Sequence, residues 1–361
     1  MLHVHGGSVL LDRLRTAGVP GAFLEWCDVL CQGPTPAAVT ATEWRDIRAR
    51  FLDDTSGPHG NVHERLVAQD AALARGLAEH DEVVLWFSAD WFCQAILLCL
   101  LARLDDRSAS PLPRQGEGDR GRGWHERDET GAWREHDETS ARRAAVSLVS
   151  LGEHPAVAER SCVLALLSAD QLHEQLAARV PVTAELTRLA RHAWDALCAP
   201  APTAIVDLLR EPMTLLPFAR EGLARHLREL PATGSGLSLT ERHVLEAVAE
   251  RSRTAMDLFP AVAAREDRQW ITDTMFAHVL RGLAGGPAPL VTLDPPAALR
   301  PPTADGLRRT QVAITAVGRD VLAGRSDWIA LAGIDRWVGG VHLTGDRVWR
   351  WDEEAGVPRV G

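Results

Sequence analysis

Lysine and tyrosine are both missing from this chain, so all 39 of its Lys-or-Arg residues are arginines. The two absences exclude Schiff-base lysines, the phosphate-contacting Walker lysine, Ser-Lys dyads, and tyrosine as acid, base or nucleophile. The six cysteines, Cys27, Cys31, Cys93, Cys99, Cys162 and Cys198, include no C-x-x-C pair and sit in apolar or strand-like contexts. That usage suits buried free thiols in a reducing compartment. A basic tail is missing too. With a net charge of -10, broad sequence-independent binding to nucleic acid is disfavoured, because it needs clustered cations. No apolar run reaches the length of a membrane span, since the longest is interrupted by Arg103, Asp105 and Asp106. The opening "MLHVHGGSVLLDRL" has neither the basic nor the extended apolar region of a signal peptide. A cytoplasmic location and no membrane partner are the expectations.

What is present is an ordinary globular composition, 46% hydrophobic and 24% charged over 361 residues, enough for two or three units. The organising stretch is 81–100, "DEVVLWFSADWFCQAILLCL". Val83 to Phe87 suit a strand buried on both faces, and a long apolar helix begins just past the turn that carries Asp90. Before it, "LHVH" reads as a first strand, followed by a helix through Leu10 and Leu14 with Ser8 as its cap. "GAFLEW" reads as a second strand. Helices are predicted over "TATEWRDIRARFL", capped by Thr42, and from about His63 to Leu77. "AAVSLVSLGE" supplies a further buried strand. This alternation predicts an α/β domain over 1–160 with a doubly wound, mostly parallel sheet of Rossmann-like type.

Residues 107–143 are rich in Arg, Gly, Asp, Glu and Ser and repeat "GWHERDETG" as "AWREHDETS", the pattern of a mobile surface insertion. Its His125, Asp128, His136 and Asp137 are weak candidates for a metal beside the simpler reading of a solvated loop. The region 161–235 reads as entirely helical, with Thr183 at one helix start. Ser238 and Glu241 then form a capping-box pattern. Three helices and two strands over 236–361 predict a winged-helix-like module ending in a Trp-rich tail. Its third helix carries Asp273, His278 and Arg281 without a cluster of cations, so a protein partner is favoured over DNA. Trp337, Trp349 and Trp351 read as packing anchors.

Five stretches carry a resemblance to a known family: "HVHGGS", "EWCDVLCQGP", "VVLWFSADWFCQ", "GLSLTER" and "GIDRWVGGVHL". Together they resemble the DUF1835 family of bacterial proteins, over most of the chain outside 107–143. The family is functionally uncharacterised, so the resemblance implies no activity. Its first turn usually reads Gly-Asp-Ser, where this chain has Gly6, Gly7 and Ser8. Its segment after the central strand often reads His-Asp-Leu-Phe-Cys-Gln, where Ala89 stands here in place of the histidine while Asp90, Phe92, Cys93 and Gln94 remain.

Two constellations carry candidate chemistry. Gly6, Gly7 and Ser8 join a strand to a helix start, where free N-H groups favour an anion, and Glu25 and Asp28 lie about as far on as a ribose-binding acid would. The full G-x-G-x-x-G is absent, which leaves a plain tight turn as the alternative. Asp28, Asp90 and Gln94 fall at carboxyl ends of predicted strands, where two carboxylates would share acid and base roles or bind a metal. Against that, Asp90 is also a good helix cap. His3 with His5, and His59 with His63, are possible zinc pairs or merely satisfied polar residues. Cys93 is a nucleophile candidate or an inert buried thiol. No G-x-S-x-G elbow exists. The sequence names no cofactor. The resulting expectation is a small anionic or nucleotide-like ligand at the strand ends, bound by an enzyme or sensor. The alternative is a transcription-associated regulator that uses its winged helix to meet DNA or a protein.

Overall fold

A computed structural model describes residues 1–26, 28–56, 61–109, 144–157, 163–295, 299 and 302–361. His125, Asp128, His136 and Asp137 of the duplicated segment lie outside the described residues, as do Cys27, His59 and Cys162. The chain runs β1 (Leu2–Gly6), α1 (Ser8–Thr16), β2 (Ala22–Trp26), β3 (Gly33–Pro34), α2 (Ala41–Ser56), α3 (Val62–Glu79), β4 (Glu82–Ser88), α4 (Trp91–Ala109) and β5 (Ala145–Leu151). Next come α5 (Val163–Leu166), α6 (Ala169–Ala177) and β6 (Val180–Pro181). One sheet has the order β2-β1-β4-β5-β6, parallel except for β6 at its edge.

The apolar run of β4 divides by its period of two. Val83, Leu85 and Phe87 join one core with α4, while Val84 and Trp86 join a second with Leu10 and Leu14 of α1. A strand covered on both sides needs no polar face, which is why its sequence is uninterrupted. Two predicted caps move. The cap position of α1 is Gly7, not Ser8, because the chain turns there with φ +81 and only glycine takes that conformation cheaply. For α2 the cap is Thr40, not Thr42: its Oγ1 accepts from Glu43 N at 3.2 Å, and Glu43 Oε2 accepts from Thr40 N at 2.8 Å.

The middle contains α7 (Ala184–Cys198), α8 (Thr203–Leu208) and α9 (Pro217–His226), with α7 and α9 packed against α4. Thr183 caps α7 as expected. The entirely helical reading of this region fails at Val180–Pro181, which pair with β5 as an edge strand. An edge tolerates proline, because the missing N-H has no neighbour to serve.

The remaining elements are α10 (Leu239–Glu250), β7 (Arg253–Thr254), α11 (Ala255–Ala263), α12 (Asp273–Ala284), β8 (Val291–Asp294), α13 (Ala304–Arg309), β9 (Gln311–Ile314), α14 (Ala316–Leu322) and α15 (Trp328–Ala332). Strands β7, β9 and β8 form a small antiparallel sheet. The tail adds two hairpins, β10 (Asp335–Gly339) with β11 (Val341–Thr344), and β12 (Trp349–Asp352) with β13 (Val357–Val360). Strand β10 also pairs in parallel with β3, which stitches the end of the chain to its beginning. A continuous apolar cluster runs from Leu2 of the sheet to Val321 of α14. No described helix is long and apolar enough to cross a membrane.

Candidate functional site

The chain leaves β1 to form β2 on one side and returns to form β4 on the other, so the carboxyl ends of β1 and β4 flank the point where strand order reverses. Ligands of open α/β sheets bind at such points. The structure brings the turn at Gly6, Gly7 and Ser8 and the turn at Asp90 to this edge, with Phe92 packed against Gly6 while Gly7 has nothing within 4 Å of where a Cβ would stand and Ser8 is exposed. A Cβ on Gly6 would stand 3.1 Å from the Phe92 ring. Asp90 Oδ1 accepts from Cys93 N at 3.0 Å, the N-cap geometry. Gln94 Nε2 donates to Ser88 O at 2.7 Å, tying α4 back to the strand it follows. Glu25 is exposed at the end of β2, level with His5 of β1.

Asp28 is also buried, and its partner is Arg48 of α2, a fully buried guanidinium. Arg48 Nε donates to Asp28 Oδ1 at 2.9 Å. Its other nitrogens donate to the carbonyls of Val29, Gln32 and Pro34 at 2.8 to 3.0 Å. One arginine therefore folds the whole 28–34 loop around itself. Gly33 in that loop has φ +78, and a Cβ there would meet the Phe51 ring at 2.6 Å. Glycine is the residue that fits.

Beyond this loop, one layer out from the strand ends, lies a cavity of about 450 Å³. The 28–34 loop forms its floor through Cys31, Gln32, Gly33 and Pro34. Its walls come from the end of α9 and the segment after it (His226, Glu229), the start of α10 (Ser238, Thr240, Glu241), Trp270 with α12 (Met275, Val279, Gly282), and the tail (Trp328, Arg336, Trp337, Gly339). None of Gly6, Gly7, Ser8, Glu25, Asp28, Asp90 and Gln94 lines it. The link between the two places is Trp91, which starts α4 right after Asp90, stacks on Trp270 with ring centroids 5.8 Å apart and touches His226.

His226 is only 5% exposed, yet neither ring nitrogen has a hydrogen-bond partner. Burial pushes its pKa down to about 4, against a smaller opposing pull from Glu229, so the ring is neutral. A neutral imidazole offers one donor and one acceptor. Gln32 Oε1 is likewise buried without a partner. Glu241 completes the predicted capping box with Ser238, whose N-H donates to its Oε2 at 2.7 Å. Its other oxygen accepts from Arg336 Nη1 at 2.6 Å. Arg336 Nε and Nη2 are buried with no partner.

Behind this wall Arg225 donates to Glu229 and Glu266 at 2.6 to 2.9 Å, and its guanidinium lies 4.3 Å from the Trp270 ring centroid. Burial raises both carboxyls, but Arg225 outweighs it: Glu229 stays below the usual range and Glu266 falls to about 2. The Cys31 thiol is raised by burial and then by Asp90, which leaves it a poor nucleophile. Its Sγ faces Met275 Sδ at 3.4 Å. Cys93 is buried and does not line the cavity. His3 is spent on structure, with Trp86 Nε1 donating to its Nδ1 at 3.0 Å and Pro20 O facing its Nε2 at 3.1 Å. Among the described residues no three His, Cys, Asp or Glu side chains gather to hold a metal ion.

Reasoning from sequence overlooked His226, Arg336, Gln32 and Trp270 because they are spread over more than 300 residues of chain. One signal touched two of them, Gln32 and Arg336. Three of the stretches that carry the DUF1835 resemblance, "EWCDVLCQGP", "GLSLTER" and "GIDRWVGGVHL", contribute residues to this one cavity. No protein-family model matches the chain, and no curated protein matches it.

Proposed function

We propose that this protein binds a small anionic or nucleotide-like ligand, as an enzyme or a sensor, and that the ligand occupies the cavity between the 28–34 loop, α9, α12 and the tail. The observation that carries the reading is His226. A buried imidazole with both nitrogens unpartnered is costly unless something supplies the missing hydrogen bonds. It stands at the wall of a cavity in the size range of small-molecule sites. The DUF1835 resemblance belongs to this proposal and adds no activity to it.

The test uses Gly282 of α12, which lines the cavity and has nothing within 4 Å of where a Cβ would stand. Gly282→Phe fills the space without a clash at its own Cβ, and it replaces a glycine in a helix, where glycine is unfavourable. A ligand that prefers the folded state raises the thermal midpoint. In a screen of nucleotides, sugar phosphates and organic acids, the compound that stabilises the parent should lose its effect on Gly282→Phe. Stabilisation that survives unchanged in the variant would place the ligand elsewhere.

The regulator reading draws on α10, α11, α12 and the antiparallel sheet β7-β9-β8, an arrangement compatible with a winged helix. Arg281 weighs against a DNA role for α12. Its Nη1 donates to Leu299 O at 2.9 Å and its Nη2 to Asp54 O at 2.8 Å, so it fastens α12 to the end of α2. Duplex binding in a gel shift by the whole protein would favour this second reading.

A further inference from the structure

The chemistry of the ligand follows from how Arg336 is held. Glu241 takes only Nη1, and Glu241 is itself fixed by the Ser238 N-H at the start of α10. The guanidinium therefore cannot turn freely. The two nitrogens that Glu241 does not touch, Nε and Nη2, lie on one edge of the plane, and both are buried and unpartnered. Two parallel N-H groups on a fixed edge match the two oxygens of a carboxylate or the face of a phosphate. Lining charge decides between these. Arg336 is the only cation among the described lining residues, beside Glu229, Glu241 and Asp335. Arg225 offsets Glu229 from behind the wall, but Arg336 is already shared with Glu241 and Asp335 stands beside it, so a phosphate of two or more negative charges would have one partly neutralised arginine to meet it. A single carboxylate touches the free edge of Arg336 while Glu241 stays on another nitrogen, so attraction at the shorter distance exceeds repulsion at the longer one. The rest of the space is walled by Trp270, Ile271, Met275, Val279 and Trp337, which suits an apolar body.

We propose that the cavity takes a monocarboxylic acid with an apolar body, its carboxylate docked on the Nε and Nη2 edge of Arg336 and a second polar group meeting His226. This rests on the ligand-binding reading above and narrows it. The wall makes two roles concrete: Arg336 orients the acid, and the neutral imidazole accepts or donates one hydrogen bond at the far group.

The experiment is thermal shift and calorimetric titration of the full chain with hexanoate, phenylacetate and 4-hydroxyphenylacetate, each beside its neutral carboxamide, together with phenyl phosphate and AMP. The expected result is binding of at least one acid and not of its amide. Arg336→Gln should weaken that acid roughly 10- to 100-fold, the loss typical of charge-assisted hydrogen bonds. Arg336→Lys keeps the charge but lacks the fork, so it should also lose at least tenfold; the unliganded midpoint of each variant reports whether it folds. Amide bound as tightly as acid, or acid affinity unchanged in both variants, overturns the carboxylate dock while leaving an occupied cavity. Arg336-dependent binding of phenyl phosphate or AMP alone overturns the carboxylate and keeps the anion site. Failure of every compound, with no difference between parent and Gly282→Phe, overturns the dock and the cavity reading together.

Discussion

Arg48 shows how much structure a single residue organises. Its five donors are matched by one carboxylate and three backbone carbonyls, all of them in the loop that floors the cavity. Removing one partner of a buried ion pair leaves the other charged and unsolvated. Arg48→Met should therefore cost roughly 3–5 kcal/mol in denaturant unfolding, far more than an exposed arginine such as Arg210. Asp90 is a smaller case. Read as the cap of α4, Asp90→Ala should cost about 1 kcal/mol and leave ligand affinity in the cavity unchanged. Loss of ligand with normal stability would restore Asp90 to a binding role. Asp28, Asp90 and Gln94 were visible in the sequence as polar residues at strand ends. The cap role of Asp90 was legible too, because its partner Cys93 N is three residues away; the partner of Asp28 was not, because Arg48 reaches it from another element.

Elements here meet at points of close approach that glycine permits. Gly340, between β10 and β11, would carry a Cβ only 1.9 Å from Cys198 O at the end of α7. Neighbouring Gly339 has φ +60 and stands against Leu197 O and the His226 ring. Backbone cannot yield there as a flexible side chain would. Gly340→Ala should lift the hairpin from α7, lower stability by about 1–3 kcal/mol, and expose the wall that carries Arg336. Faster hydrogen exchange at Val338 and Val341 than in the parent would show it; unchanged exchange would mean that the tail is held elsewhere. In the α10 capping box, Ser238→Ala removes only the Oγ that accepts from Glu241 N, so it should cost about 1 kcal/mol in unfolding free energy and leave the Ser238 N-H on the Glu241 carboxylate in place.

Across the whole molecule, acid sensitivity follows from its buried histidines. His5 and His226 are each lowered by burial to about 4, from an ordinary value of 6.5. Between those values the unfolded chain binds protons that the folded chain refuses, so stability falls as pH is lowered through that window. Each histidine contributes a slope of up to about 1.4 kcal/mol per pH unit. Glu266, held at about 2 by Arg225 and His243 against burial, adds a further loss below its ordinary 4.5. Replacing His226 with Gln should flatten the decline between pH 6.5 and 4 by one histidine's share, measured as unfolding free energy against pH. An unchanged slope would show that His226 takes up its proton in the folded chain as readily as in the unfolded one.

What the sequence determined by itself was local. The buried run of β4, the start of α4, the Thr183 and Ser238 caps and the alternation that yields a mostly parallel sheet are all set by neighbours a few residues apart, through period, propensity and capping. Two mismatches, Gly7 instead of Ser8 and the edge strand at Val180–Pro181, turn on a backbone angle or a pairing partner that the local pattern does not encode; the third, Thr40 instead of Thr42, was legible as a Thr-x-x-Glu capping box with Glu43. Only tertiary structure decided where the open space lies. At the strand ends Phe92 packs on Gly6, and Asp28 and Gln94 are engaged by Arg48 and Ser88. The cavity forms one layer further out, where β10 joins β3 and carries Arg336 to Glu241. Such a junction depends on long-range packing, and its residues acquire a common role only when the chain ends are brought together.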